Sequence, residues 1–254
     1  MTSLKLFLIK LRSLFFGTYW YLRLFPSFKK EMLTLKVSQL KATRIDLWTT
    51  QVLFFTGVSQ KKSVFIKLYL DKNKNQREAR ILEHINTIGS NTSLLDIIKD
   101  DINTNGYYVI AYTIEAVPLE SLLTKISSKM CLELLKQFIF ILEDFKKTNL
   151  VHCDITPSNI LLSNTGALTI IDFEYSVCKH TESFSDLSFE DKNILHSLGG
   201  KYSAPGLVWD DATSFVKIAK TIIKQNQFTE SELSQIVEQL KILESKVGNN
   251  QYKY

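Results

Sequence analysis

Four residues, His152, Asp154, Asn159 and Asp172, have the types and spacing to do chemistry. They lie in two short stretches, Val151-His-Cys-Asp-Ile-Thr-Pro-Ser-Asn-Ile-Leu-Leu162 and Leu168-Thr-Ile-Ile-Asp-Phe-Glu174. Asn159 follows Asp154 by five places, and Asp172 follows Asn159 by thirteen, at the end of an apolar, β-rich run. That is the layout phosphoryl transfer needs. One carboxylate orients the accepting hydroxyl, while an amide and a second carboxylate hold Mg²⁺, which bridges the nucleotide phosphates. On this reading Asp154 is the base or hydroxyl-orienting residue, and Asn159 and Asp172 are the metal ligands. His152 is read as a scaffold group of the loop, because a lone His is more often structural than chemical.

In that order and at that spacing, His152-Cys-Asp154 and Asp172-Phe-Glu174 resemble the H-R-D and D-F-G signatures of the protein-kinase-like superfamily. The resemblance implies a bilobal α+β fold. Residues 33–115 would form a small lobe built on an antiparallel sheet, and residues 116–254 a mainly helical large lobe. An amphipathic segment, residues 1–32, precedes both. ATP and Mg²⁺ are the implied cofactors. Lys67, alone in the apolar strand Val64-Phe-Ile-Lys-Leu-Tyr69, takes the position that contacts nucleotide phosphates. Glu78 takes the position that holds that Lys, with Glu83 as the alternative. The bland readings are a Lys on a solvated strand face and a Glu in a surface charge pair. The Lys67-to-Glu78 gap is short for the family. Residues 42–51, where a glycine-rich phosphate loop belongs, contain no Gly; Thr49 and Thr50 would offer hydroxyls instead. Residues 113–119 take the hinge position, whose backbone would read adenine.

Three departures narrow the implied class. Cys153 replaces the Arg that meets a phosphorylated activation loop, and Thr156 replaces the Lys of Ser/Thr protein kinases. Glu174 replaces the Gly of D-F-G, which looks like small-molecule kinases of the choline and aminoglycoside type. With the amphipathic N-terminus, the pattern resembles bacterial lipopolysaccharide-core sugar kinases. The implied acceptor is a carbohydrate, on lipopolysaccharide core or another glycolipid. The rivals are a membrane-associated protein kinase and a pseudokinase scaffold. Tyr202-Ser-Ala-Pro-Gly206 faintly resembles an A-P-E segment. Either Asp210 or Asp211 could brace the catalytic loop, and a helix N-cap accounts for either equally well.

The bulk numbers agree with a globular enzyme. The 254 residues carry a net charge of +5. That suits an anionic nucleotide or an anionic membrane better than nucleic acid, since no basic tract interleaves with aromatics. Three cysteines without C-x-x-C spacing indicate neither a disulfide framework nor a zinc site, which fits a cytoplasmic location. Leu4, Phe7, Leu8, Leu11, Leu14 and Phe15 form one helical stripe, with Lys5 and Arg12 on its flank. The segment is too charged to span a bilayer and is expected to end at Gly17. It would lie on the cytoplasmic face of an anionic inner membrane or pack on the small lobe.

The elements that must position these residues follow from periodicity. Strands are expected over 35–46, 51–56, 63–70 and 107–112, with a turn at Gly57-Val-Ser-Gln-Lys-Lys62. Helices are expected over 75–88, 119–126, 130–148 and 212–225. A last helix opens on the capping box Thr229-Glu-Ser-Glu232. The polar tail 249–254 is expected to be disordered.

Overall fold

The computed structural model describes residues 3–43, 52–70, 72–87, 97–99, 108–112, 116–179, 194–206 and 208–253. The chain forms two compact units, Met1–Arg80 with Leu95–Ile114, and Ile81–Leu94 with Glu115–Tyr254. Helices and small antiparallel sheets make it an α+β protein.

The first unit opens with helix α1, Ser3–Thr34, followed by strands β1 (Val37–Ala42), β2 (Val52–Ser59) and β3 (Lys62–Tyr69). Helix α2 (Lys72–Thr87) comes next, then β4 (Ile97–Lys99) and β5 (Tyr108–Tyr112). The sheet has the order β1-β2-β3-β5-β4, with every neighbour antiparallel. The expected strand over 35–46 is shorter where described, and residues 44–51, with Thr49 and Thr50, lie outside the described residues.

Helix α1 differs from expectation in length. Gly17 does not end it: the residue is buried, and the helix runs on past Pro26. A Gly inside a helix costs only about 1 kcal/mol, and aromatic packing overrides it. Phe55 of β2 is fully buried, with Phe28 at 4.9 Å and Phe25 stacked at 5.9 Å between ring centroids. Phe28, Met32, Val37, Leu53, Val64 and Ile66 complete this core. Residues 29–31 are therefore helical, while the N-terminal half of α1 leaves its apolar stripe exposed.

The hairpin between β2 and β3 also differs. Gly57 sits inside β2, opposite Val64, and the turn is Gln60–Lys61. A Cβ on Gly57 would lie 2.8 Å from Val37 Cγ1 and 3.1 Å from the Ser38 carbonyl, so the glycine permits the close approach of β1. Gln60 and Lys61 both hold left-handed backbone, at φ 50° and 66°, as a two-residue hairpin turn demands.

In the second unit, β6 (Ala116–Pro118) leads into a short 3₁₀ turn over Leu119–Leu122, where an α-helix was expected. Helix α3 (Ser128–Lys147) is capped by the Ser127 hydroxyl, which accepts from Met130 N–H. It buries Cys131, Leu134, Leu135, Phe138, Ile141, Leu142 and Phe145. Strands β7 (Leu150–Val151), β8 (Ile160–Ser163), β9 (Leu168–Ile170), β10 (Val177–Cys178) and β11 (Val208–Asp210) follow. Helices α4 (Asp211–Gln225) and α5 (Glu230–Glu244) pack against α3, with Phe138 and Phe215 stacked at 4.5 Å. The Thr229/Glu232 capping box opens α5.

The tail is ordered, against expectation. Gln251–Lys253 form strand β12, paired with β11 through Trp209↔Tyr252. The Asn250 amide donates to the Leu150 carbonyl at 2.6 Å, and Gly248 N–H donates to Asp210 Oδ2 at 3.0 Å. A polar local sequence becomes a strand because its partners lie far away in the chain.

A side chain with a Cβ in the left-handed region costs about 1–2 kcal/mol. Lys61→Gly is therefore expected to raise stability by about 1 kcal/mol. The measurement is urea unfolding: a higher midpoint at unchanged slope is expected, and a lower midpoint would contradict the turn geometry.

Candidate active site

The first unit supplies one ion pair. Period-two alternation puts Lys67 and Tyr69 on the same face of β3. Both meet the carboxylate of Glu78 on α2. Lys67 Nζ lies 3.1 Å from Oε1 and 3.3 Å from Oε2, and the Tyr69 hydroxyl donates to Oε2. Glu78 is 3% exposed. A buried carboxylate held by an ammonium and a hydroxyl fixes the Lys in one place. Glu83 is exposed, so the geometry pairs Lys67 with Glu78. Tyr69 was not anticipated, although its place two residues after Lys67 was a usable signal.

The second unit holds the loop. Helix α3 delivers the chain through Asn149, at φ 54°, into β7, which pairs with β10. The β8–β9 hairpin pairs Ile160 with Ile170, so the residues flanking that pair, Asn159 and Ile171, meet at its open end. Ile171 N–H donates to the Asn159 carbonyl at 3.0 Å, which places Asp172 one residue beyond Asn159's partner. Register alone thus gathers two of the expected ligands.

His152 is fully buried and structural. Its Nε2 lies 3.0 Å from the Ile171 carbonyl, and its Nδ1 accepts from Asp154 N–H at 3.3 Å. Its ring packs edge-on against Phe173 at 4.7 Å. Imidazole therefore ties the two motifs together: one nitrogen serves each, and the ring makes a T-shaped contact with Phe173.

Asp154 sits at the centre. Its Oδ1 accepts from Gly199 N–H at 2.6 Å and its Oδ2 from the Asn159 amide at 3.1 Å. The Asn159 amide also donates to the Asp154 carbonyl at 2.9 Å. With its N–H groups committed to Asp154, Asn159 has Oδ1 left for a cation. Burial pushes the Asp154 carboxyl above its usual range and the Asp172 charge adds to that, opposed by the Gly199 and Asn159 donors. A carboxylate made more basic and held by two donors is suited to accept or orient a hydroxyl proton. Cys153 and Asp172 both hold left-handed backbone, at φ 69° and 72°; such strain in non-glycine residues gathers at functional sites.

The two aspartates at the start of α4 divide the roles that sequence left open. Asp210 is the N-cap, accepting from Ala212 N–H at 3.2 Å and the Thr213 hydroxyl at 2.9 Å. Asp211 is the brace: its Oδ2 accepts from His152 N–H at 2.7 Å and its Oδ1 from Cys153 N–H at 3.2 Å.

Among the described residues no group of three or more His, Cys, Asp or Glu could hold a metal ion. Asn159 and Asp172 are hard oxygen donors of the kind Mg²⁺ uses when substrate phosphates and water complete its shell. The three cysteines are free and buried. Glu174, half-buried, lies in the turn after Phe173. Residues 180–193 lie outside the described residues. Gly199, which reaches Asp154, was not anticipated: in sequence Gly199-Gly200 signals only a turn.

No protein-family model matches the chain. The chain is similar to hormonally up-regulated neu tumor-associated kinase homolog B of Xenopus laevis, with 31% identity over 135 residues, 51% of this chain and 20% of that protein. Its human counterpart, hormonally up-regulated neu tumor-associated kinase, matches at 31% identity over 51% of this chain and 18% of that protein. Dual specificity tyrosine-phosphorylation-regulated kinase 3 of Macaca fascicularis matches at 24% identity over 162 residues, 58% of this chain and 28% of that protein. The chain spans roughly a fifth to a quarter of the length of these curated relatives. The likeness supports a protein-kinase-like superfamily and a phosphotransferase activity. It does not single out the small-molecule kinases.

Burial pushes the Asp211 carboxyl up to about 7, and the Asp210 charge adds to this, against the pull of the His152 and Cys153 N–H groups and Lys179. The folded protein then binds a proton that the unfolded chain has released. The stability this gives is full below the ordinary carboxylate range and is lost as pH rises through about 7. Asp211→Asn is expected to flatten that fall. Urea unfolding of both proteins from pH 4 to 8 checks it; equal slopes would refute the buried-carboxyl account.

Proposed function

We propose that the protein is a bilobal, kinase-like phosphotransferase that moves the γ-phosphate of ATP to an alcohol group, with Mg²⁺. The observation that carries this reading is the Asp154 carboxylate, clasped by Asn159 and Gly199 with Asp172 close enough to raise its basicity. In this reading Asp154 orients the acceptor hydroxyl, and Asn159 Oδ1 with Asp172 would hold Mg²⁺, which neutralises phosphate charge when bound. Lys67, fixed by Glu78 and Tyr69, offsets the remaining phosphate charge. Retention of Lys67, Asp154, Asn159 and Asp172, the first three in defined hydrogen-bonded settings, argues against a nucleotide-free scaffold.

For the acceptor we favour a sugar hydroxyl on lipopolysaccharide core or another glycolipid. Support comes from Cys153, Thr156 and Glu174 in place of the residues typical of protein kinases, and from the exposed, basic N-terminal half of α1. A protein acceptor is the second reading. It is favoured by the curated relatives, one of which is named a dual specificity tyrosine-phosphorylation-regulated kinase.

The test is ATP consumption with Mg²⁺ by the purified protein, given a membrane glycolipid extract or a protein acceptor, beside Asp154→Ala and Asp172→Ala. Turnover stimulated by the glycolipid is expected, falling by about 10²–10⁴-fold in Asp154→Ala. Phosphate found on protein would select the second reading. Failure of the intact protein to bind ATP would overturn both.

A further inference from the structure

We infer that the N-terminal half of α1 is an interfacial helix that lies on the surface of an anionic lipid bilayer. Leu4, Leu8, Leu11, Phe15, Tyr19 and Leu22 follow one another at spacings of three and four, so they share one face of the helix. Each is between 50% and 71% exposed. At 100° per residue this face is turned by about a third of a turn from the line of Phe28 and Met32 that packs on the sheet. Covering the stripe therefore does not compete with the core of the first unit. Six large apolar side chains in one row exceed what scattered surface hydrophobics explain.

Charge selects the occupant. Residues 1–30 contain Lys5, Lys10, Arg12, Arg23, Lys29 and Lys30 and no Asp or Glu. Because the whole chain has 31 Lys and Arg against 26 Asp and Glu, its net positive charge resides in this segment. Arg12 and Arg23 are exposed and follow Leu11 and Leu22 by one position, which sets them on the edge of the stripe. From there the guanidinium groups reach lipid phosphates while the stripe enters the acyl boundary. Arg23 lies over the Trp20 ring at 5.3 Å, with Tyr19 beside it, an aromatic and cationic end suited to headgroup depth. Two copies of this face would bring like charges together, which disfavours a second chain as the occupant. No described helix is long and apolar enough to cross a membrane, so the mode is lying on the surface.

Binding to lipid does not depend on phosphoryl transfer, and the test needs no nucleotide. The full chain is sedimented with phosphatidylcholine vesicles, with and without phosphatidylglycerol, at low and high salt. Binding is expected only with phosphatidylglycerol, and weaker at high salt. Arg12→Ala is expected to lower affinity about fivefold, and Leu11→Ser with Phe15→Ser by more than about tenfold. These positions are exposed, so thermal unfolding should match the parent protein. Equal binding to neutral vesicles, no binding, or affinity untouched by the variants would overturn the inference. So would a concentration-dependent dimer abolished by the double variant without lipid binding, which would assign the face to a second copy.

Discussion

The candidate site depends on one buried carboxylate. Asp211 is 2% exposed and accepts from two consecutive backbone N–H groups, those of His152 and Cys153. The two N–H groups meet one carboxylate oxygen each, and the Cys153 backbone, just beyond them, holds a left-handed φ. That conformation costs about 1–3 kcal/mol for a residue with a side chain. A typical intramolecular hydrogen bond contributes about 0.5–1.5 kcal/mol, so the two together offset strain of this size. Val151 and Cys153, on either side of His152, pack with Val177 and Trp209 in one apolar cluster.

A second constraint is register. The β8–β9 hairpin sets Ile171 N–H on the Asn159 carbonyl, and His152 Nε2 meets the carbonyl of the same Ile171. Residues thirteen apart in the chain are thereby held as a unit, and a slip of one residue would turn every side chain of the hairpin over. Gly199 closes the arrangement from a third segment. Its N–H occupies one oxygen of Asp154, and its φ of 71° together with a Ser203 Cβ only 3.0 Å from a built Cβ leaves room for glycine alone.

The parts legible in the sequence were those whose partners are near in the chain. Asp154, Asn159 and Asp172 lie in one loop–hairpin unit, and Lys67 with Glu78 spans a single strand-to-helix connection. Helices α3, α4 and α5 showed their apolar period, and α5 its capping box. What was not legible depended on distant partners. Gly17 reads as a helix end until the aromatic cluster around Phe55 is known. Gln60 and Lys61 lack the turn chemistry that would mark a two-residue hairpin, and the cross-strand pairs of β2 and β3 impose the turn on them. Asp210 and Asp211 are adjacent and alike; only the positions of residues 152 and 248 separate a cap from a brace. The tail has no apolar alternation, and Gln251–Lys253 become strand because Asp210, Trp209 and Leu150 receive residues 248–252.

That last feature orders events during synthesis. The carbonyl of Leu150, two residues before His152, takes its hydrogen bond from Asn250, and the cap Asp210 takes one from Gly248. A ribosome adding about 5–20 residues per second reaches residue 250 only several seconds after residue 150. Until then the Leu150 carbonyl lacks this donor, although β7 can already pair with β10, while Lys67 and Glu78 of the first unit both lie within the first 80 residues. The long-range closure around Leu150 and Asp210 thus comes later in synthesis than the local contacts of the first unit.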